Sequence, residues 1–301
     1  MVRLPVFCIG LIMGCFCTPS LGFAQEEEGE PTVVEKTAEQ EFPKSRLYLA
    51  SLTAARYHPI GLTTQNRLMY SHLLYESESM IMRDNFFKAG PSLKLNPAYL
   101  IVGPLIDLQP IAILHLRLGY EFVYYFGTFG YLQSYPDPDS DYSDKERKKT
   151  NHESYATKGH HLFAETTLQM RISYFVARSK FSFAYWDVDL TDDHGYFYVA
   201  TLDTLIPNKK FMWTNDTDLL FMRKNLVVGV RYSGVFPLTE ARHQRIGPIF
   251  AWSFHTRDYT RFNRPTLLCI LGWYVEHQNR VGGIPYVLVG FSFSTDFLST
   301  R

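Results

Sequence analysis

Between residues 111 and 125 (IAILHLRLGYEFVYY) the even positions Leu114, Leu116, Leu118, Tyr120, Phe122 and Tyr124 are apolar. The odd positions His115, Arg117, Gly119 and Glu121 are polar or small, with Val123 the exception. Successive side chains of a strand point to opposite faces, so this stretch predicts a strand with one apolar face and one charged face. The same period returns at 161–174. Leu162, Ala164, Thr166, Leu168, Met170, Ile172 and Tyr174 lie on one face, and His161, Glu165, Thr167, Gln169, Arg171 and Ser173 on the other, with Phe163 the exception. Further on, Phe250, Trp252 and Phe254 alternate with Ala251, Ser253 and His255.

From Arg46 onward the pattern reads as strand after strand with no convincing amphipathic helix. Expected strands cover 46–56, 67–76, 85–95, 99–106, 111–125, 161–174, 181–185, 196–205, 211–222, 226–236, 246–256, 266–277 and 285–297. Turns are expected at Asn96-Pro97, at Gln109-Pro110, at 177–180 and at 191–195. Segment 211–222 is the weakest, because its centre is the polar run Thr214, Asn215, Asp216, Thr217, Asp218. In the region 85–106, strands and turns blur. Thirteen segments cannot all belong to a barrel with an even strand count, so twelve is the expected number, with ten and fourteen open.

An alternating strand suits a soluble sandwich, with its apolar face in the core, or a transmembrane barrel, with its apolar face in lipid. The length of the alternation decides for the barrel. More than ten residues is nearer the ~9–11 of a membrane strand than the ~5–6 of a globular one. Aromatics make up 16% of residues and cluster at strand ends, as in Tyr120–Phe126, which suits interfacial girdles. A mean hydropathy of -0.14 excludes a polytopic helical membrane protein. A span in lipid must then be a closed all-β antiparallel up-and-down barrel, since only helices and barrels satisfy their backbone groups there. Thirty basic residues balance thirty acidic ones, which argues against a nucleic-acid partner.

The N-terminus reads as an export signal over 1–24. Arg3 is followed by an apolar run from Leu4 to Cys17, then by the small-x-small site Gly22-Phe23-Ala24. Cys8, Cys15 and Cys17 fall inside it, so the mature chain keeps Cys269 alone and has no internal disulfide. Residues 25–44 are acidic, poor in apolar residues and without either period, and predict a disordered periplasmic leader before a barrel over 45–301. The longest polar segment, about 134–159, is expected as an extracellular loop, because barrels put long loops outside and short turns in the periplasm.

Together the signal, the alternating strands and the aromatic strand ends resemble a Gram-negative outer-membrane β-barrel protein over about 46–297. That resemblance implies an outer-membrane location, contact with outer-membrane lipid and insertion by the barrel-assembly machinery. The chain departs from the pattern at its end, where Phe293 and Phe297 are followed by further residues to Arg301. The expected functional surface is a lumen-facing polar ladder of His115, Arg117, Glu121, His161, Glu165, Gln169 and Arg171. A passive channel or structural barrel of unassigned solute is the leading reading. A lipid hydrolase or deacylase using a Ser/His pair, and a soluble secreted β-sandwich that binds a ligand, are the alternatives. Ser253 and His255 have the i,i+2 spacing that puts two strand side chains on one face. Neither a metal site nor a cofactor is expected, since no HExxH, cysteine pair or Gly-rich phosphate loop occurs. Finally, 111–125 and 161–174 should pair antiparallel with opposed residue numbers summing to 282. That register sets Arg117 against Glu165 and Glu121 against His161 and avoids a carboxylate pair.

Overall fold

A computed structural model of the chain describes residues 43–300 apart from 83, 192–193, 238–241 and 284. The expected signal peptide, and the leader as far as residue 42, lie outside the described residues. The wall strands are β1 (Ser45–Tyr57), β2 (Gly61–His72), β3 (Phe86–Asn96), β4 (Tyr99–Ile111) and β5 (Leu114–Phe126). Within the next loop lie β6 (Ser134–Tyr135) and the helix α1 (Asp144–Lys149). Then come β7 (Ala156–Ile172), β8 (Phe175–Val188), the short β9 (Tyr196–Val199) and β10 (Thr204–Pro207), and β11 (Phe211–Arg223). The chain ends with β12 (Leu226–Pro237), β13 (His243–Ser253), β14 (Asn263–Glu276) and β15 (Tyr286–Thr300). Twelve of these close an antiparallel barrel in chain order, with β1 sealed against β15, while β6, β9 and β10 form a separate three-stranded sheet.

Faces follow the sequence period. Leu118, Tyr120, Tyr124, Leu162, Leu168 and Met170 are exposed on the outside, whereas His115, Arg117, Glu121 and His161 are buried within. Exposed apolar residues recur on the other wall strands, among them Leu68, Val102, Phe183, Leu219, Val230, Trp252, Trp273 and Val289, and an apolar exterior of this kind fits a hydrocarbon solvent. Between β5 and β7 the register sums to 282, with Arg117 opposite Glu165 and Glu121 opposite His161. The outer apolar band is interrupted at mid-height on two opposite walls. Thr53 and Thr64 bond each other at 3.1 Å on β1 and β2, and Asn215 bonds Ser179 and Thr217, each at 3.0 Å, on β8 and β11. Paired in this way, those polar groups avoid the cost of standing alone in an apolar medium.

Three expectations need correction. The segment 211–222 is a full wall strand, and the surplus candidate was 196–205, which folds as the β9–β10 hairpin. Its residues Phe197, Tyr198, Val199, Leu205 and Ile206 are buried without alternation, and Asp203 turns the chain at φ +56°. Residues 177–180 are not a turn but the lower part of β8, and the turn falls at Ser173, whose φ is +53°. Arg178 and Lys180 point inward to carboxylates, and charged lumen positions resemble turn residues in a linear reading. Likewise the turn after β4 is at 112–113 rather than at Gln109-Pro110. The polar segment 134–159 contains β6 and α1, and β7 begins at Ala156. Ser143 caps α1 by accepting from the Glu146 N–H, the Ser-x-x-Glu pattern of a helix start.

Gly-Pro dipeptides lie inside three wall strands, at Gly90-Pro91, Gly103-Pro104 and Gly247-Pro248. Pro91 and Pro104 are cross-strand partners. Proline brings no N–H to the ladder. The neighbouring strand presses onto the glycine instead: a Cβ on Gly90 would lie 1.8 Å from the Leu68 carbonyl oxygen, and one on Gly103 1.9 Å from that of Tyr120. Only glycine permits this wall geometry.

The lipid-facing assignment has a direct check. Leu118→Arg should cost about 2–4 kcal/mol in folding titrations into lipid, the range for a cation near the bilayer midplane. Gln169→Arg, inward and near the rim, should cost about 1 kcal/mol, the worth of the hydrogen bond it loses. Equal penalties at both positions would show that the faces are reversed.

Candidate functional site

The inner wall carries ion pairs in a band from β3 round to β12. Arg117 is its centre. Its Nε and Nη2 donate to the two oxygens of Asp107 on β4 at 2.6 and 3.0 Å, and Nη1 donates to Glu165 on β7 at 3.2 Å. Both partners stand directly across from Arg117 in register. His115 lies 3.8 Å from Asp107. Glu121 accepts from Lys94 on β3, whose Nζ is 2.7 Å away at the nearer oxygen, and from His161 Nδ1 at 2.9 Å. The His161 ring in turn stacks on Trp186 with centroids 3.8 Å apart.

The band continues through Lys180, 3.8 Å from Glu165 and 3.3 Å from Asp216. It ends in Asp218, which accepts from Arg178 at 2.5 Å and from Arg231 at 2.6 Å. These are again cross-strand neighbours, on β8, β11 and β12. A charge is tolerated inside a narrow barrel when it is paired and hydrogen-bonded, and removal of one partner leaves the other uncompensated. Toward the turn between β11 and β12, Leu220, Val227, Ile249, Ala251 and Ile270 form an apolar cluster that spans β11 to β14, and the wall beyond it carries a further pair, Arg46 with Asp296 at 3.8 Å on β1 and β15.

Of the sequence-predicted ladder, His115, Arg117, Glu121, His161 and Glu165 come together in this band. Gln169 and Arg171 share their face but sit at the end of the short turns, where Gln169 Nε2 donates to the Ala112 carbonyl at 2.9 Å and Arg171 Nε to that of Ser173 at 2.6 Å. Sequence reasoning missed Lys94, Asp107, Arg178, Lys180, Asp216, Asp218 and Arg231. Complementary charge at opposed positions would have found most of them, had the strand limits been right.

The opposite end of the barrel is stoppered. Phe197, Val199 and Ile206 of the small sheet, with Leu132, share one apolar core with wall residues Val123, Tyr125, Trp186, Met212 and Val235. This cap is bolted down at Asp203, which is fully buried. Its carboxylate accepts from Tyr198 and Tyr274, each at 2.8 Å, and from Arg280 Nε at 2.5 Å. Arg280 also reaches Asp144 of α1 at 2.9 Å, and His277 Nε2 donates to the Asp203 carbonyl at 2.8 Å. Burial opposes the charged form of Asp203, but the His277 hydrogen bond and the Arg280 charge outweigh it and hold the carboxyl below its ordinary range. Asp144 is lowered as well, chiefly by its hydrogen bond from Arg280.

Ser253 and His255 do not form a dyad. Ser253 is fully buried and shares a 2.8 Å hydrogen bond with Thr266, while His255 lies beyond the end of β13 and accepts from the Arg257 N–H at 3.3 Å. A Ser–His contact does occur between Ser45 and His72, 2.7 Å apart on the outer face. It joins two strands 27 residues apart, which i,i+2 spacing cannot reveal. Among the described residues no group of three His, Cys, Asp or Glu side chains is placed to hold a metal ion.

No protein-family profile matches the chain, and no characterised protein matches its sequence. Solved structures resemble it at low identity. "KdgM porin" shares 6% identity over 83% of this chain and 99% of its own, with a TM-score of 0.37. "CymD monoaromatic hydrocarbon channel" shares 11% over 87% and 91%, with a TM-score of 0.39. "LpxR from Salmonella typhimurium" shares 11% over 83% and 100%, again with a TM-score of 0.39.

Proposed function

We propose that this chain is a channel of the outer membrane of a Gram-negative cell, with a charged inner wall and a mouth closed by its own small sheet. The observation that carries the reading is the band from Lys94 to Arg231, which sets ten charged side chains inside a barrel whose outside is apolar. A barrel serving only as a scaffold gains register from this but no stability, since apolar residues of like volume fill an interior at no greater cost. A polar path across a bilayer needs such a wall. In this reading the capped end, which carries the longest connections, 127–155 and 189–210, faces outward, and the end that holds three of the four two-residue turns, at 112–113, 173–174 and 224–225, faces the periplasm.

Lipid hydrolysis rests on the Ser45–His72 contact. Against it, no carboxylate or amide is found hydrogen-bonded to His72 among the described residues, so the imidazole lacks the orienting third group that such chemistry uses.

Closure by the cap makes two tests. In planar bilayers the wild-type barrel should show rare, small conductance steps, and Asp203→Asn should raise the open fraction severalfold. Removing one partner from a buried charge pair costs about 3–5 kcal/mol, enough to free the small sheet. An unchanged open fraction in Asp203→Asn would mean that the cap does not close the path, and a Ser45→Ala loss of phospholipid hydrolysis would favour the enzyme instead. The second test is pH. Because the folded carboxyl of Asp203 titrates below its unfolded value, its contribution is complete above about pH 4 and is lost as acid protonates it. Openings should therefore be unaffected by Asp203 between about pH 5 and 8 and increase only in strong acid. A steep rise in openings between pH 7 and 5 would count against Asp203 as the bolt.

A further inference from the structure

Within the charged band lies a cavity of about 90 Å³, lined among others by Arg67, Ser92, Lys94, Arg117, Glu121 and Glu165. Its two carboxylates are already engaged. Glu121 holds Lys94 and His161, and Glu165 holds Arg117. Arg67 is different. Among the described residues it makes no ion pair within 4 Å, and its Nε is buried without a hydrogen-bond partner. Ser92, its cross-strand neighbour, is 2% exposed, and its Oγ is buried with no partner either. Two adjacent unsatisfied donors thus stand on one wall of a cavity that also presents Lys94 and Arg117.

Room for a guest comes from the backbone. On β4 the inward position next to Ser92 is Gly103, which contributes no side chain and, under the pressing Tyr120 carbonyl, cannot acquire one. An uncompensated guanidinium away from bulk water is costly unless an anion pairs with it. A planar fork of N–H donors beside a hydroxyl suits the oxygens of a small oxyanion.

We infer that this cavity binds one small oxyanion of the phosphate and sulfate class, with Arg67 as its ion-pair partner and Ser92 as a hydrogen-bond donor. Binding here does not depend on whether the barrel conducts, so the site stands or falls separately from the channel reading. It would make the lumen anion-occupied at rest and give the path a preference for negatively charged solutes.

Inorganic phosphate is the probe, titrated calorimetrically into the refolded full-length barrel in detergent and phosphate-free buffer. One phosphate per chain is expected, and heat without saturation up to 10 mM of the probe, a concentration chosen on the order of weak-site affinities, would overturn the site. Arg67→Gln should weaken binding about tenfold or more, the worth of a charge-assisted contact. Lys149→Gln, which removes an exposed cation on α1 outside the barrel, should leave it unchanged. Wild-type affinity in Arg67→Gln would refute the assignment. Gln65→Glu guards against a misfolded variant. Residue 65 lies two positions from Arg67 on the same face and lines the same cavity, so the new carboxylate supplies the missing partner. Heat-modifiable migration on gels reports its folding, and the variant should no longer bind phosphate. Retention of wild-type affinity by folded Gln65→Glu would overturn the proposal even if Arg67→Gln fails to fold.

Discussion

The ion pair between Arg117 and its two flanking carboxylates is the interaction on which the rest of this barrel depends. Closure of twelve strands pairs the wall backbone into one continuous ladder, interrupted at the Gly-Pro steps and at a few register shifts, so the main chain meets most of what lipid demands of it. What remains is the lumen, where charged side chains have little water. Asp107, Arg117 and Glu165 sit on three consecutive wall strands and fix their mutual register, because a one-residue slip would turn Arg117 into hydrocarbon. From that point the pairing passes to Lys180 and Asp216, and Asp218, held by both Arg178 and Arg231, locks β8, β11 and β12 in the same way.

Much of this was legible in the chain. The period of two over 111–125 and 161–174 gave the inside and the outside, and the avoidance of facing Glu121 and Glu165 gave the register. Where reading failed, the cause was that a lumen is a polar interior. Arg178 and Lys180 look like a turn, and Thr214 to Asp218 look like a loop, because residues that pair across a barrel are of the same types that solvate a turn. The converse error was 196–205, whose aromatic and aliphatic residues resemble a wall strand but are buried on both sides of a cap. No local pattern distinguishes the two, since the difference is tertiary. Nor could spacing along one strand reveal Ser92 beside Arg67, whose meeting depends on the β2–β3 register.

Barrel and cap divide the work differently. The wall pairs its charges from β3 round to β12, and Leu220, Val227, Ile249 and Ile270 fill the inside of β11 to β14 with apolar side chains, so a polar path runs along the paired charges. The cap is an apolar plug in which Asp203 gathers Tyr198, Tyr274 and Arg280, while His243 and Arg56 of the wall donate to the Leu202 and Ala200 carbonyls. It is a small sheet distinct from the wall ladder, so it can open as a unit without breaking the barrel's strand pairing.

The central claim is that the charged face of each strand is the lumen and the apolar face meets lipid. A nitroxide scan along β5 from Leu114 to Phe126, in a Cys269→Ser background and in lipid bilayers, tests it most directly. Labels at even positions should collide freely with oxygen and hardly with a water-soluble nickel chelate, while labels at odd positions should show neither the oxygen access nor the same mobility, giving a period of two along the strand. Uniform access to the water-soluble reagent at even positions would contradict the account, because those side chains would then face solvent and the barrel would not be in a membrane.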